Sequence, residues 1–328
     1  MSLRSQATGR ALRSRASSLA GRARAVIERE PVDERAGYRT GVGAIMAQKA
    51  ARPTFRHLWD AEVPVYSQWG EDGILDYLCD FLDLSRPRAV EFGAGNFLEC
   101  NTRFLAEHRS ASVMAVDARP DLAATVASLR VNWCTTILPR QAWITPLTAP
   151  ELMREARAEF GAVDIVSLDI DGNDYWVADS LPLDDVTVVV VEYNPLFGAR
   201  DPLSVPRDDG FDRTQAHYSF LYYGASLRAF VTLLGERGLT FLGSNRAGNN
   251  AFFVRSTRLA GYPLPIPDPR DLGPYTDWRC RESRDRSGNL DFRTGRERID
   301  VMAGLPLVDT VTGEVVPVGG ARVGREHD

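Results

Sequence analysis

Two groups of residues in this chain have the types and spacing to do chemistry. The first is Glu91-Phe92-Gly93-Ala94-Gly95, followed 24 residues after Gly93 by Asp117. Closely spaced glycines after an apolar run let backbone approach a ligand that a Cβ would exclude. A helix predicted over 98–108 would add unpaired N–H groups behind them. An acidic residue ending the next strand is placed to accept hydrogen bonds from ribose hydroxyls. The pattern therefore predicts a nucleoside site. The pattern runs on from Gly95 to Phe97 without a further glycine, so the third glycine of a dinucleotide fingerprint is missing. Glu91 would repel a pyrophosphate but hold the ammonium of an amino acid moiety, which favours S-adenosylmethionine (SAM) over NAD. An ordinary strand-to-helix turn is the competing reading.

The second group is Asp169-Ile170-Asp171-Gly172-Asn173-Asp174 with Glu192-Tyr193-Asn194. Both stretches follow apolar runs that read as buried strands. Carboxylates at adjacent strand ends, with an amide two residues on, make an all-oxygen site suited to Mg2+ or a related hard cation. Such an ion would bind substrate oxygens and lower a hydroxyl pKa. The competing reading is a tight turn in which Asp171 or Asn173 caps the next helix. An EF-hand is excluded, because its spacing and terminal glutamate are missing. Lys49 is the only lysine, so a general base must be sought among His, Asp, Glu and Tyr. His217 lies in a polar loop shortly before Gly224, and its near-neutral pKa suits it to take a proton from a hydroxyl. A purely structural histidine is the alternative. Asp171 is the second candidate base.

These residues need a scaffold that brings strand ends together. Apolar runs predict strands at 89–92, 112–116, 133–137, 163–170 and 186–191, alternating with helices at 98–108, 120–129, 150–160 and 175–180. That alternation is the signature of a Rossmann-like, doubly wound, mostly parallel α/β sheet. A helix over 224–237 and two strands at 239–243 and 250–255 predict an antiparallel C-terminal edge hairpin. Residues 196–219 read as a long loop or lid. Tyr66-Ser67-Gln68-Trp69-Gly70-Glu71-Asp72-Gly73 leads into an amphipathic helix, and Ser67 and Gln68 would reach over a bound cofactor unless the stretch is only a helix start. The expected organisation is an N-terminal helical, basic extension (1–63), a cofactor-binding domain (64–258) and a C-terminal docking tail (259–328).

Composition narrows the class. The chain has 328 residues, 44% hydrophobic and 25% charged, which suits a globular protein with a large core. A net charge of −5 argues against binding dominated by nucleic-acid phosphates. Arginines at 4, 10, 13, 15, 22, 24 and 29 would line a basic amphipathic helix, a surface anchor or a homo-oligomer arm. A frayed or loosely docked helix is the competing reading. No apolar run is long enough to span a membrane and no signal-peptide core is visible. Four scattered cysteines form no metal spacing, so reduced thiols in a cytoplasmic protein are expected.

Taken together, YSQWGEDG, EFGAGN, NTRFL, AVDA, DIVSLDIDGNDYW, VVVVEYN, GASL and NAFFVR resemble class I SAM-dependent methyltransferases. More narrowly, they resemble the FkbM-like group of small-molecule O-methyltransferases, over about residues 64–256. The resemblance implies SAM as cofactor, held by Gln68, Glu91, Gly93, Ala94, Gly95, Asn101, Asp117 and Asp169, with Trp143 beside the adenine. It also implies a metal, possible Mg2+, on Asp169, Glu192 and Asn194. Two departures stand out: Tyr193 interrupts the acid/amide pair, and the lysine base of catechol-type relatives has no counterpart. The expected activity is methyl transfer to a hydroxyl of a sugar-like or other natural-product small molecule. The alternatives are nitrogen or carboxyl methylation, or a fold that binds SAM without catalysis.

Overall fold

The computed structural model describes residues 34–129 and 134–323. It divides into a unit ending at Gly43, of which the start of helix α1 (Glu34–Ala51) is described, and a larger unit, Ala44–Asp328. The arginine-rich stretch read as an anchor or oligomer arm lies outside the described residues.

The larger unit is built on seven strands: β1 (Arg88–Phe92), β2 (Ser112–Asp117), β3 (Ile137–Gln141), β4 (Ile165–Leu168), β5 (Val188–Glu192), and the later pair β7 (Leu239–Ser244) and β8 (Asn250–Arg255). Their order is β3-β2-β1-β4-β5-β8-β7, with β1 to β5 parallel and β8 antiparallel to both its neighbours. This is the expected Rossmann-like, mostly parallel sheet with an edge hairpin. Strand order reverses between β1 and β4, and that crevice is where such sheets take ligands.

Both faces of the sheet are covered, which is why β5 runs as four valines before Glu192 and is buried along its whole length. On one face Val90, Phe92, Val166, Leu168, Val189 and Val191 meet helices α5 (Ala149–Phe160), α6 (Asp174–Ser180) and α8 (Leu227–Glu236). In α5 the buried residues are Ala149, Leu152, Met153 and Ala156, a single stripe at helical spacing. On the other face Ala89, Val113, Ile165, Val188, Val190, Phe252 and Val254 meet α2 (Glu71–Phe81), α3 (Arg103–Arg109) and α4 (Leu122–Ser128). Burying each large apolar side chain contributes roughly 1.5–3 kcal/mol. The period of two along each strand then decides which polar residues meet at the sheet's carboxyl end. Glu91, Ser167, Asp169, Glu192 and Asn250 all follow the α2 side, whereas Tyr193 follows the other.

Four local expectations change. The helix predicted from 98 starts at Arg103, because residues 94–102 form a loop pinned by Glu91. The strand predicted at 133–137 is replaced by β3 from Ile137, with Trp133 outside the described residues. The 196–219 stretch is a packed connection that includes β6 (Leu203–Ser204) and the short helix α7 (Arg213–Ala216). The tail does more than dock: α9 (Arg296–Val301), β9 (Pro306–Asp309) and β10 (Val315–Pro317) follow in it, and β10-β9-β6 form a second, antiparallel sheet. A separate apolar cluster lies there, joining Leu196, Phe197 and Leu203 to Trp278, Ile299, Met302 and Leu307.

Candidate functional site

Gly93 is the pivot of the crevice. Its φ is +87°, and a Cβ there would collide with the carbonyl oxygen of Asp169, so β1 and β4 end in direct backbone contact. The Gly93 and Ala94 N–H groups donate to the Val116 carbonyl at 2.9 and 3.1 Å. The Gly95 N–H donates to Asp117 Oδ2 at 2.8 Å and the Arg119 N–H to Asp117 Oδ1 at 2.9 Å. Glu91 anchors the following loop: it accepts from the Asn101 and Thr102 N–H groups at 2.7 and 3.0 Å and from the Thr102 hydroxyl. Asn101 continues the chain of contacts, donating through Nδ2 to Ser167 Oγ at 3.0 Å. Burial raises the Glu91 carboxyl above its ordinary range, against the pull of those donors.

Two cavities flank this pivot. The first, about 420 Å³, is lined by Gly93, Gly95, Asp117, Trp143, Ile144 and Phe211 among others. Half-exposed Trp143 is steadied by its indole N–H, which donates to the Asp209 carbonyl at 2.8 Å. Phe211 lies against Gly172, where a Cβ would stand 2.7 Å from its ring. The second cavity, about 220 Å³, shares Gly93, Asp169 and Asp171 with the first and adds Gln68, Glu71, Glu192, Arg213, Asn250 and Glu282 among its walls. The residues expected around SAM thus divide between the two: Asp117, Trp143 and Gly95 line the first, Gln68, Glu91 and Asn101 the second, and Gly93 and Asp169 both. Ala94 lies buried in the turn itself.

Among the described residues, Asp169, Asp171 and Glu192 bring one carboxylate oxygen each within 4.8 Å of one another. Burial, then the Asp171 charge, raises Asp169 well above the ordinary carboxylate range; burial, then the Asp169 charge, does the same to Glu192. Glu192 Oε2 is buried without a hydrogen-bond partner. Asp171 sits at φ +56° and pairs with Arg213, which also pairs with Glu282 and stacks 3.9 Å above the Tyr223 ring. Arg213 and Glu282 were invisible as site residues in the sequence, since neither sits in a recognisable motif.

Three expectations are corrected by the geometry. Asn194 does not join the carboxylates. Its Nδ2 donates to the Leu221 and Tyr223 carbonyls at 2.9 and 3.0 Å and its Oδ1 accepts from the Leu196 N–H, so it ties down the chain after β5. Asp171 is the third acidic side chain beside Asp169 and Glu192 instead. Neither Asp171 nor Asn173 caps α6 with its side chain: Asp174 holds the turn, accepting from the Ile170 and Gly172 N–H groups at 2.8 and 2.9 Å. His217 lines neither cavity; its Nδ1 meets Ser219 Oγ at 2.8 Å. Burial and then Arg286 and Arg293 lower its pKa.

No protein-family model matches the chain, and no curated protein matches it. Solved structures that resemble it include an O-methyltransferase family 2 protein from Planctomyces limnophilus in complex with apigenin (12% identity, TM-score 0.31, 53% of this chain and 56% of that one). Others are human N-acetylserotonin methyltransferase in complex with SAM (13%, 0.32, 55% and 51%) and EvdMO1 (15%, 0.34, 64% and 46%). The chain spans about half the length of each. Likeness at this level leaves the reaction to the residues themselves.

Proposed function

We propose that this chain is a SAM-dependent methyltransferase acting on a hydroxyl of a sugar-like or natural-product small molecule. The observation that carries this reading is the pair of cavities sharing one wall at Gly93, Asp169 and Asp171. One has the features of a nucleoside site, with Asp117 for ribose hydroxyls and Trp143, Ile144 and Phe211 for a flat base. The other is polar and acidic, as an acceptor site would be. When bound, SAM supplies the methyl group from its sulfonium. The protein's share is to orient the acceptor in line with that carbon and keep water out. As the new C–O bond forms, the methyl–sulfur bond breaks with its electron pair going to sulfur, the hydroxyl proton leaves, and an ionised carboxylate of the Asp169–Glu192 pair would receive it. Burial and mutual repulsion raise both carboxyls, which makes whichever of the two is ionised the stronger base.

Asp169, Asp171 and Glu192 also fit a divalent cation such as Mg2+, as an all-oxygen donor set with one oxygen lacking a partner. Such an ion would supply Lewis-acid polarisation of acceptor oxygens. In this reading residues 64–258 form the catalytic domain, and the tail from 259 adds Cys280 and Glu282 to the acceptor wall. A second reading, methylation of an amine, draws support from the excess of carboxylates around the same cavity. The test is transfer of labelled methyl from SAM to a panel of methyl glycosides, simple amines and carboxylic acids, with Mg2+ or with a chelator. Labelled glycoside supports the proposal. Labelled amine alone supports the second reading, and SAM binding without any labelled product overturns both.

A further inference from the structure

The hairpin between β7 and β8 carries three asparagines, Asn245, Asn249 and Asn250, all at least nine-tenths buried. Asn245 organises the turn: its Oδ1 accepts from the Gly248, Asn249 and Asn250 N–H groups at 3.0, 3.1 and 3.2 Å. Its Nδ2 donates to Asn249 Oδ1 at 2.8 Å and to Glu71 Oε1 at 2.7 Å. Glu71, at the start of α2 and almost wholly buried, takes a second amide hydrogen from Asn250 Nδ2 at 2.8 Å. Its Oε2 accepts from the Trp69 N–H at 3.0 Å.

This network removes the usual freedom of an amide to flip. A carboxylate only accepts, so Asn250 must turn its NH2 toward Glu71 and its oxygen away. Asn250 Oδ1 is buried and has no partner, although the cost of leaving such a group unpaired is about 1–3 kcal/mol. Asn249 is set the opposite way: its oxygen accepts from Asn245, which leaves its NH2 to donate elsewhere. Both side chains line the acidic cavity. Asn250 also stands directly opposite Glu192 in the β5–β8 ladder, so the orphaned Glu192 Oε2 lies on the same side.

Resting on the methyltransferase reading, we propose that Asn249 and Asn250 read the acceptor, and that Glu71 is the positioning residue that sets their polarity. A fixed acceptor beside a fixed donor matches neighbouring hydroxyls, each of which can donate to Asn250 Oδ1 or accept from Asn249 Nδ2. The site therefore selects an acceptor with adjacent hydroxyls and holds it against the Asp169–Glu192 pair. An acceptor that cannot donate leaves Asn250 Oδ1 unpaired and is rejected.

The experiment is calorimetric titration of the full chain with methyl α-glucopyranoside, methyl α-mannopyranoside and methyl α-galactopyranoside, with and without S-adenosylhomocysteine. The tightest of these is then compared with its monodeoxy analogues. Asn250→Ala should weaken the glycoside at least ten-fold and leave S-adenosylhomocysteine binding unchanged. The deoxy analogue lacking the contacted hydroxyl should bind wild type and Asn250→Ala alike. Glu71→Gln should reproduce the glycoside loss without affecting the nucleoside. Equal losses on every deoxy analogue, or an unchanged glycoside affinity in Asn250→Ala, would overturn the assignment, as would no glycoside binding to wild type. The deoxy series needs no variant, so it decides even where a substitution fails to fold. Failure of S-adenosylhomocysteine to bind wild type is a separate result and strikes the methyltransferase reading instead.

Discussion

The two cavities on either side of Gly93 are made in opposite ways. The nucleoside-type cleft rests mainly on the ends of consecutive strands: the glycine turn after β1, the end of β2, the residues just after β3 and the turn after β4, with Asp209 and Phe211 added from further along the chain. Its carboxylate, Asp117, is already met by two backbone N–H groups of the loops beside it. The acidic cavity draws on Glu71, Glu192, Arg213, Asn250 and Glu282, spread across more than 200 residues. Its carboxylates crowd one another, and Glu192 Oε2 and Asn250 Oδ1 are left without partners. Asp117 is satisfied by its own loops, while the second cavity keeps buried acceptors that a donor would satisfy. In the proposed reading, specificity for the acceptor belongs to the unsatisfied side.

That contrast can be broken at either cavity. The largest effect is expected from Asp117→Ala, which should weaken S-adenosylhomocysteine on the order of 100-fold by calorimetry, since hydrogen bonds to a charged group contribute about 1.5–3 kcal/mol each. Glycoside affinity should hold. Gly93→Ala should damage both cavities together, because the new Cβ meets the Asp169 backbone at a positive φ. A cost on the order of 3 kcal/mol, read as a lower melting temperature, is expected.

Glu192→Gln sharpens the comparison through pH. The Asp169 and Glu192 carboxyls titrate above their unfolded values, so their stabilising contribution is complete at low pH and is lost as pH rises through the folded values. The metal-free protein should therefore lose thermal stability as pH is raised above the ordinary carboxylate range. Glu192→Gln should flatten that slope, and Mg2+ should restore stability to the wild type at the upper end. A wild-type slope unchanged by Glu192→Gln would contradict the crowding described here. The smallest effect belongs to His217→Ala. Because His217 lines neither cavity, methyl-transfer rate and nucleoside affinity should stay within about three-fold of wild type, a change below ~0.7 kcal/mol. A loss of 100-fold would return that histidine to the chemistry.

The same contrast explains what could be read from the sequence. Glycine spacing, a downstream aspartate and alternating apolar runs are local signals, and they place β1, β2, β4 and β5 with their terminal acids. What escaped is set by long-range pairing. Asn250 meets Glu71 across 179 residues, and Arg213 meets Glu282 across 69. Asn194 has the side-chain chemistry of a ligand, yet the carbonyls of Leu221 and Tyr223 claim it. Nothing in the local pattern distinguishes an amide that faces a cavity from one that holds a loop. The tail's partners escaped for the same reason: its few apolar residues form a cluster with Leu196, Phe197, Leu203, Val205, Leu221, Tyr222 and Ala247 from earlier in the chain.

The most direct test of the account is a calorimetric titration of wild-type protein with S-adenosylhomocysteine and, in parallel, with NAD. One-to-one binding of S-adenosylhomocysteine with no heat from NAD is the predicted result. Binding of NAD instead, or of neither, would contradict the assignment of the cleft beside Asp117 and, with it, the reading of the acidic cavity as an acceptor site.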